Sequence, residues 1–181
     1  MNGIKLRGLG RCVPAQSVTN DDLAKTVDTS DAWITARTGI RSRRRCTEET
    51  HTELCVTAAR RALAQAGITP ADIGACIVAT VSADTIVPSA ACMLQRDLGM
   101  PEDTPCFDLN AACTGFIYAL HTMECLLNAS PRKFGLVIGA EQLSRITNWE
   151  DRGTCILFGD GAAGAVVECR ADWPSTGAVL G

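Results

Sequence analysis

Long apolar runs are missing from this sequence. The longest, such as Cys76–Val81, fall far short of the roughly 20 residues that a bilayer-crossing helix requires. The opening segment MNGIKLRGLG carries no sustained apolar core behind its charges, which argues against a signal peptide. An excess of one charge is missing too: the formal net charge is −3, so no global field recruits nucleic acid or an anionic membrane. No two cysteines stand C-x-x-C apart, and no Cys/His group has zinc-ligand spacing, so a bound metal is not expected. Histidine is reduced to His51 and His121. These absences together point to a cytoplasmic protein without membrane or nucleic-acid partners.

What is present is ordinary in bulk and unusual in one respect. Hydrophobic residues make up 46% and charged residues 20%, a normal globular balance. Ten cysteines are many. In a reducing compartment most are expected to be buried free thiols that pack as small hydrophobes. Cys55, Cys92 and Cys125 fall on apolar faces of expected helices, and Cys76, Cys106 and Cys155 in expected strands.

Ile4–Val13 reads as a first strand. Asn20 is a candidate N-cap for a helix over Asp21–Val27, and Ser30 for one over DAWITARTG, stopped by Gly39. Thr50 and Glu53 form a capping box for a helix that runs to Ala66 and stops at Gly67, with Leu54, Ala58, Ala62 and Ala66 along one face. Ile73–Val81 reads as a strand buried on both faces. Pro88 opens a helix closed by Gly99, and Cys106–Leu109 is a short buried strand. A helix from Cys113 to about Asn128 carries Phe116, Leu120, Met123 and Leu127 as its apolar stripe. Phe134–Gly139 is a further strand, and Cys155–Phe158 and Ala162–Cys169 read as a hairpin around a Gly-Asp-Gly turn. Alternating strands and helices imply an α/β fold, a mostly parallel sheet with helices on both faces. No linker divides the chain, so residues 1–181 are read as a single domain. A further strand start, Gly177–Leu180, precedes Gly181 so closely that the chain reads as cut rather than finished.

One cysteine stands out. In DLNAACTGF, Cys113 follows a buried strand and sits at the first turn of a helix. Unpaired N–H groups there carry partial positive charge, which favours the thiolate and can cradle an oxyanion. Small neighbours Ala111, Ala112 and Gly115 leave room for a substrate. Neither histidine is a convincing partner. His121 lies eight residues along the same helix, about 12 Å away at 1.5 Å per residue. His51 stands at a helix start where exposure is expected. The letters GDGAAG (Gly159–Gly164) match a dinucleotide fingerprint, but the following AVVE continues as a strand, so the match is false; a tight turn and close packing are expected instead. Arg37, Arg41, Arg43, Arg44 and Arg45 form a basic cluster, with Arg43–Arg45 expected in a solvated loop. Trp33 and Arg37 share a helix face and together suit a nucleotide base with its phosphates, although a tryptophan is more often core.

Four stretches in order carry a resemblance: DTSDAWITARTGIRSRR (Asp28–Arg44), VPSAACMLQRDLG (Val87–Gly99), DLNAACTGFIYAL (Asp108–Leu120) and DRGTCILFGDGAAGAVV (Asp151–Val167). The chain resembles the first half of β-ketoacyl-acyl-carrier-protein synthase III, a condensing enzyme of type II fatty acid synthesis. The resemblance implies a thiolase-like fold, here one half of a duplicated α-β-α-β-α arrangement. It implies Cys113 as the acyl-accepting nucleophile, Trp33 and Arg152 flanking a CoA adenine, Arg37 on phosphate and Thr29 nearby. It implies Val87 as the acyl-pocket residue lent across a homodimer. Acyl-CoA and malonyl-acyl carrier protein are then substrates, with no separate cofactor. The family's catalytic histidine and asparagine belong to the second half, so this chain alone is expected to be inactive. Two other readings stay open: a related acyltransferase of secondary metabolism (alkylquinolone, polyketide-starter or ester formation), and a non-catalytic dimerisation or binding fragment.

Overall fold

The computed structural model describes residues 2–175, so the expected strand at Gly177–Leu180 lies outside the described residues. In chain order the elements are β1 (Asn2–Cys12), β2 (Gln16–Thr19), α1 (Asn20–Leu23), α2 (Asp31–Thr38), β3 (Ser42–Arg45), α3 (His51–Ala66), β4 (Ile73–Ala79), α4 (Ala90–Leu98), β5 (Cys106–Leu109), α5 (Gly115–Ala129), β6 (Phe134–Gln142), α6 (Arg152–Cys155) and β7 (Asp160–Pro174).

Local signals place several helix ends. Ser30 caps α2 by accepting from Trp33 N, and Gly39 leaves the helix in the left-handed region at φ 73°. Thr50 and Glu53 exchange both capping-box bonds at the start of α3. At α4 the cap is Ser89, which accepts from Cys92 N, and Pro88 stands just outside the helix. At α1 the cap is Thr19 rather than Asn20. The Asn20 side chain is taken by longer-range partners: it donates to Asp31 and to the Ile40 carbonyl, and accepts from Arg43.

Five strands form one sheet in the order β1-β7-β6-β4-β5. It is mixed: β4 pairs parallel with β5 and β6, while β7 pairs antiparallel with β6 and β1. The expected hairpin does not form. Residues Arg152–Cys155 are a short helix capped by Asp151, and the Gly-Asp-Gly segment leads straight into β7. A four-residue apolar run is as compatible with a buried helical turn as with a strand, and tertiary contacts decided it. The basic stretch is not a loop either, since β3 pairs antiparallel with β2.

Alternate residues of the strands feed two different cores, as the strand's period of two requires. Cys76, Val78, Leu136, Ile138 and Val166 pack with Leu54, Ala58 and Ala62 of α3 and with Leu94 of α4. Ala75, Ile77, Val137 and Val167 pack with Ala119, Met123 and Leu127 of α5. The two long helices therefore cover opposite faces. The chain crosses from β4 to β5 over the α3 face and from β5 back past β4 to β6 over the other, so the strand order reverses at β4. In open α/β sheets ligand sites form beyond the carboxyl ends of strands at such a reversal.

Candidate active site

Cys113 stands a few residues beyond the carboxyl end of β5, beside that reversal. It lies on a 3₁₀ turn, Ala112–Thr114, that runs into α5, so the expectation of a first-turn helical position is half right. The reason is Ala112, whose φ of 45° puts a residue with a Cβ in the left-handed region. Such a conformation costs about 1–3 kcal/mol and persists only where the surroundings impose it. Gly115 seats the head of α5 against the sheet: a Cβ there would stand 3.4 Å from the Ala79 Cβ. At the next residue, the Phe116 ring lies over Gly139, where a Cβ would come within 3.2 Å. The strand ends thus hold the start of α5, the turn bends the chain, and the thiol of Cys113 is left exposed.

Eight of the other nine cysteines are less available. All ten are free thiols; Cys46, Cys55, Cys76, Cys155 and Cys169 are buried, and Cys12, Cys92 and Cys106 are half-buried. Burial, reinforced by the Asp160 carboxylate, pushes the Cys46 thiol up to about 12. Burial likewise raises Cys55, Cys155 and Cys169. Cys76 is raised by its thiol hydrogen bond to Cys106 and by burial. A thiol so raised stays protonated and is a poor nucleophile. Cys125 departs from expectation, since it is exposed on α5 rather than packed.

A second group assembles around α2. The Arg37 guanidinium lies 4.1 Å from the Trp33 ring centroid, and that of Arg152, from α6, lies 4.9 Å from it. Arg152 also donates to the Asp28 carbonyl at 3.0 Å. Thr29, next in sequence, has a buried hydroxyl with no hydrogen-bond partner among the described residues. Thr29, Trp33, Arg37 and Arg152 are thus gathered from two distant segments into one surface carrying two guanidinium groups and an indole. Cys113 and Val87 are held by other elements. Val87 stands on the β4–α4 connection, 84% exposed.

Two expectations are overturned, and one residue was missed. His51 is fully buried: Nε2 lies 3.0 Å from Thr80 Oγ1 and 3.1 Å from the Ala140 carbonyl, and Nδ1 faces the Cys55 sulfur. Asp84 closes over the start of α3 by accepting from His51 N and Thr52 N, and this covers the end that looked open in sequence. Arg43 is buried, donating to Val18 O, Asn20 Oδ1 and Ile156 O. The Asp of the Gly-Asp-Gly stretch was missed: Asp160 is buried and accepts from Cys46 N, Ser144 N and Ser144 Oγ, tying the end of β3 to the turn after β6. A carboxylate between glycines at a strand start was its only local signal. The close packing expected of those glycines does occur, since a Cβ on Gly164 would come 2.5 Å from Ile138 Cδ1.

A family model described as 3-oxoacyl-(acyl-carrier-protein) synthase III matches residues 107–179, which include Cys113. The chain is 48% identical over 167 residues to the β-ketoacyl-(acyl-carrier-protein) synthase III of Clostridium acetobutylicum, covering 92% of this chain and 51% of that protein. The crystal structure of the 3-oxoacyl-(acyl-carrier-protein) synthase III from Aquifex aeolicus superposes with a TM-score of 0.89 at 45% identity, over 94% of this chain and 55% of that one. The chain belongs to the β-ketoacyl-acyl-carrier-protein synthase III family. Its fold is thiolase-like, as the resemblance implied. A priming β-ketosynthase from a polyketide biosynthetic pathway is also similar, with TM-score 0.88 and 34% identity over 93% of this chain and 51% of that one. The chain spans about half the length of the curated synthase III relatives it matches. Among the described residues, no helix is long and apolar enough to cross a membrane.

Proposed function

We propose that this chain supplies the nucleophile and the CoA-binding surface of a β-ketoacyl-acyl-carrier-protein synthase III. The observation that carries the reading is Cys113: an exposed thiol at the head of α5, on a turn held in a strained conformation by Ala112. The Cys113 thiolate attacks the thioester carbonyl of an acyl-CoA, and the N–H groups at the start of α5 steady the developing oxyanion. The bond to the CoA sulfur breaks, CoA leaves as the thiol, and the acyl group stays on Cys113. Malonyl-acyl carrier protein then loses carbon dioxide. The resulting carbanion attacks the acyl carbonyl, expels the Cys113 thiolate and leaves a β-ketoacyl-carrier protein.

Trp33 and Arg152 flank the CoA adenine in this reading, and Arg37 and Thr29 meet the phosphate and nucleotide. Adenine entering between indole and guanidinium widens their 4.9 Å separation to about 7 Å, two contacts of about 3.5 Å each. The decarboxylation step needs donors for an enolate oxygen. His51 cannot serve, because both its ring nitrogens face partners in the core. The chain by itself is therefore inactive in condensation, and a second α/β half completes the site within a cytoplasmic homodimer. A second reading, priming of a polyketide by the same acyl-cysteine chemistry, is supported by the similarity to the priming β-ketosynthase.

Intact-mass analysis after exposure of the whole enzyme to acetyl-CoA tests the proposal. The expected result is one acetyl adduct mapped to Cys113 and absent in Cys113→Ala. An adduct that survives that substitution, or none with any acyl-CoA tried, overturns it.

A further inference from the structure

The connection between β4 and α4 has a heavily bonded base and a bare tip. Ile86 and Val87 are 95% and 84% exposed. An exposed aliphatic side chain forgoes the roughly 1.5–3 kcal/mol of burial, so the tip owes nothing to its own packing. The base is fastened by side-chain hydrogen bonds to four other segments. Glu141 of β6 accepts from Val81 N at 3.0 Å and from the Ser82 hydroxyl. Asp84 accepts from His51 N, Thr52 N and Thr52 Oγ1 at the start of α3. Past the tip, Asp108 of β5 accepts from Ala90 N and Ala91 N, both at 2.8 Å.

Arg145 adds the remaining fastening. From the turn after β6, its guanidinium donates to the carbonyls of Ser82 and Ala83 and pairs with Asp84 Oδ1 at 3.0 Å. It thereby joins two backbone carbonyls and a carboxylate immediately before the tip. This needs a planar fork of several donors, which a lysine ammonium does not offer.

We infer that Arg145, acting through Ser82, Ala83 and Asp84, is a positioning residue that fixes where the Ile86–Val87 tip stands and so tunes which acyl chains the pocket accepts. This rests on the reading that Val87 lines an acyl pocket. The clamp leaves Cys113 untouched, so its loss alters the choice among primers more than the chemistry on acetyl-CoA.

The test compares Arg145→Gln, Arg145→Lys, Asp84→Asn and Val87→Ala in the whole enzyme. The readouts are the ratio of kcat/KM for isobutyryl-CoA to that for acetyl-CoA, amide hydrogen exchange at residues 84–88, and Tm. With Arg145→Gln the ratio is expected to change about tenfold or more, of the size of one lost charge-assisted hydrogen bond, and exchange at 84–88 to quicken. Arg145→Lys is expected to restore part of both. A purely structural staple would lower Tm and leave the ratio unchanged, which overturns the inference. If Arg145→Gln does not fold, Arg145→Lys and Asp84→Asn carry the same test. An unchanged ratio in Val87→Ala overturns the acyl-pocket reading itself. Exchange then decides the clamp alone, and unaltered exchange in the Arg145 variants overturns that as well.

Discussion

The two faces of the sheet are covered by helices of similar length in opposite ways. On one face α3 lies almost on the backbone of β1. A Cβ on Gly10 would stand 2.1 Å from the Ala58 carbonyl oxygen, and one on Gly8 2.3 Å from that of Ala62. Glycines opposite alanines let the two main chains touch, and the seam is closed. On the other face α5 buries Met123 and Leu127 but leaves Ile117 and Tyr118 of the helix and Leu6 and Leu9 of β1 exposed. Between them runs a groove of about 370 Å³, lined in part by Leu6, Leu9, Phe116, Ile117 and His121. The difference separates two jobs. The α3 face is finished and holds the domain together. The α5 face carries the candidate nucleophile at its head, and in the proposed enzyme the second α/β half completes it.

The largest effect is expected at the closed seam. Gly10→Val drives a branched side chain into the α3 backbone and should cost about 3 kcal/mol or more, read from urea unfolding. By contrast, Ile117→Ser on the open face should change the stability of this chain by no more than about 0.5 kcal/mol. A large loss there would mean that the α5 face is already covered, and the contrast would fail. Next in size is ligand binding. Trp33→Ala or Arg152→Ala should weaken CoA binding about tenfold by calorimetry, from the stacking and cation–π contact removed; Arg152→Ala should do so with stability little changed, whereas Trp33→Ala also loses packing against Leu23, Ile34 and Ile156. Unchanged affinity would detach the Trp33 surface from CoA.

The smallest effect is a pH dependence at the approach to α3. Amide donors from Thr47 and Ala15 hold the Glu49 carboxylate at about 2, below the roughly 4.3 of an unfolded chain. A folded pKa below the unfolded one makes a contribution that is full above pH ~4.3 and is lost as pH falls toward 2. Glu49→Gln should therefore flatten that part of the acid-unfolding slope, seen as urea midpoints compared between pH 5 and pH 2.5. An unaltered slope would show that the acid sensitivity arises elsewhere.

What could be read before folding was whatever depends on neighbours in sequence. The caps of α2 and α3 and the stripe of α5 involve residues three or four apart, and all are present. Cys113 stood out for the same reason: a strand end, small residues and a helix start are consecutive. The misread residues are those whose partners are remote. Arg43 looked solvated because Ile156, whose carbonyl it reaches, lies 113 positions away. His51 looked exposed because Asp84, which covers its helix end, lies 33 positions away. Cys155–Phe158 looked like a strand because its apolar character could not say which of its residues are buried: Cys155 and Ile156 are, while Leu157 and Phe158 are exposed.

By itself, then, the amino-acid order determined the long helices α3 and α5, the caps of α2 and α3, the alternation that makes an α/β sheet, and a cysteine between a strand end and a helix start. The tertiary structure alone decided that β7 is a single long strand, that Arg43, His51 and Asp160 are internal, and that Trp33 meets Arg152. The physical reason is range. Caps and periodicity act over one or two helical turns, whereas burial and pairing of charged groups depend on which distant segments the packed sheet brings together.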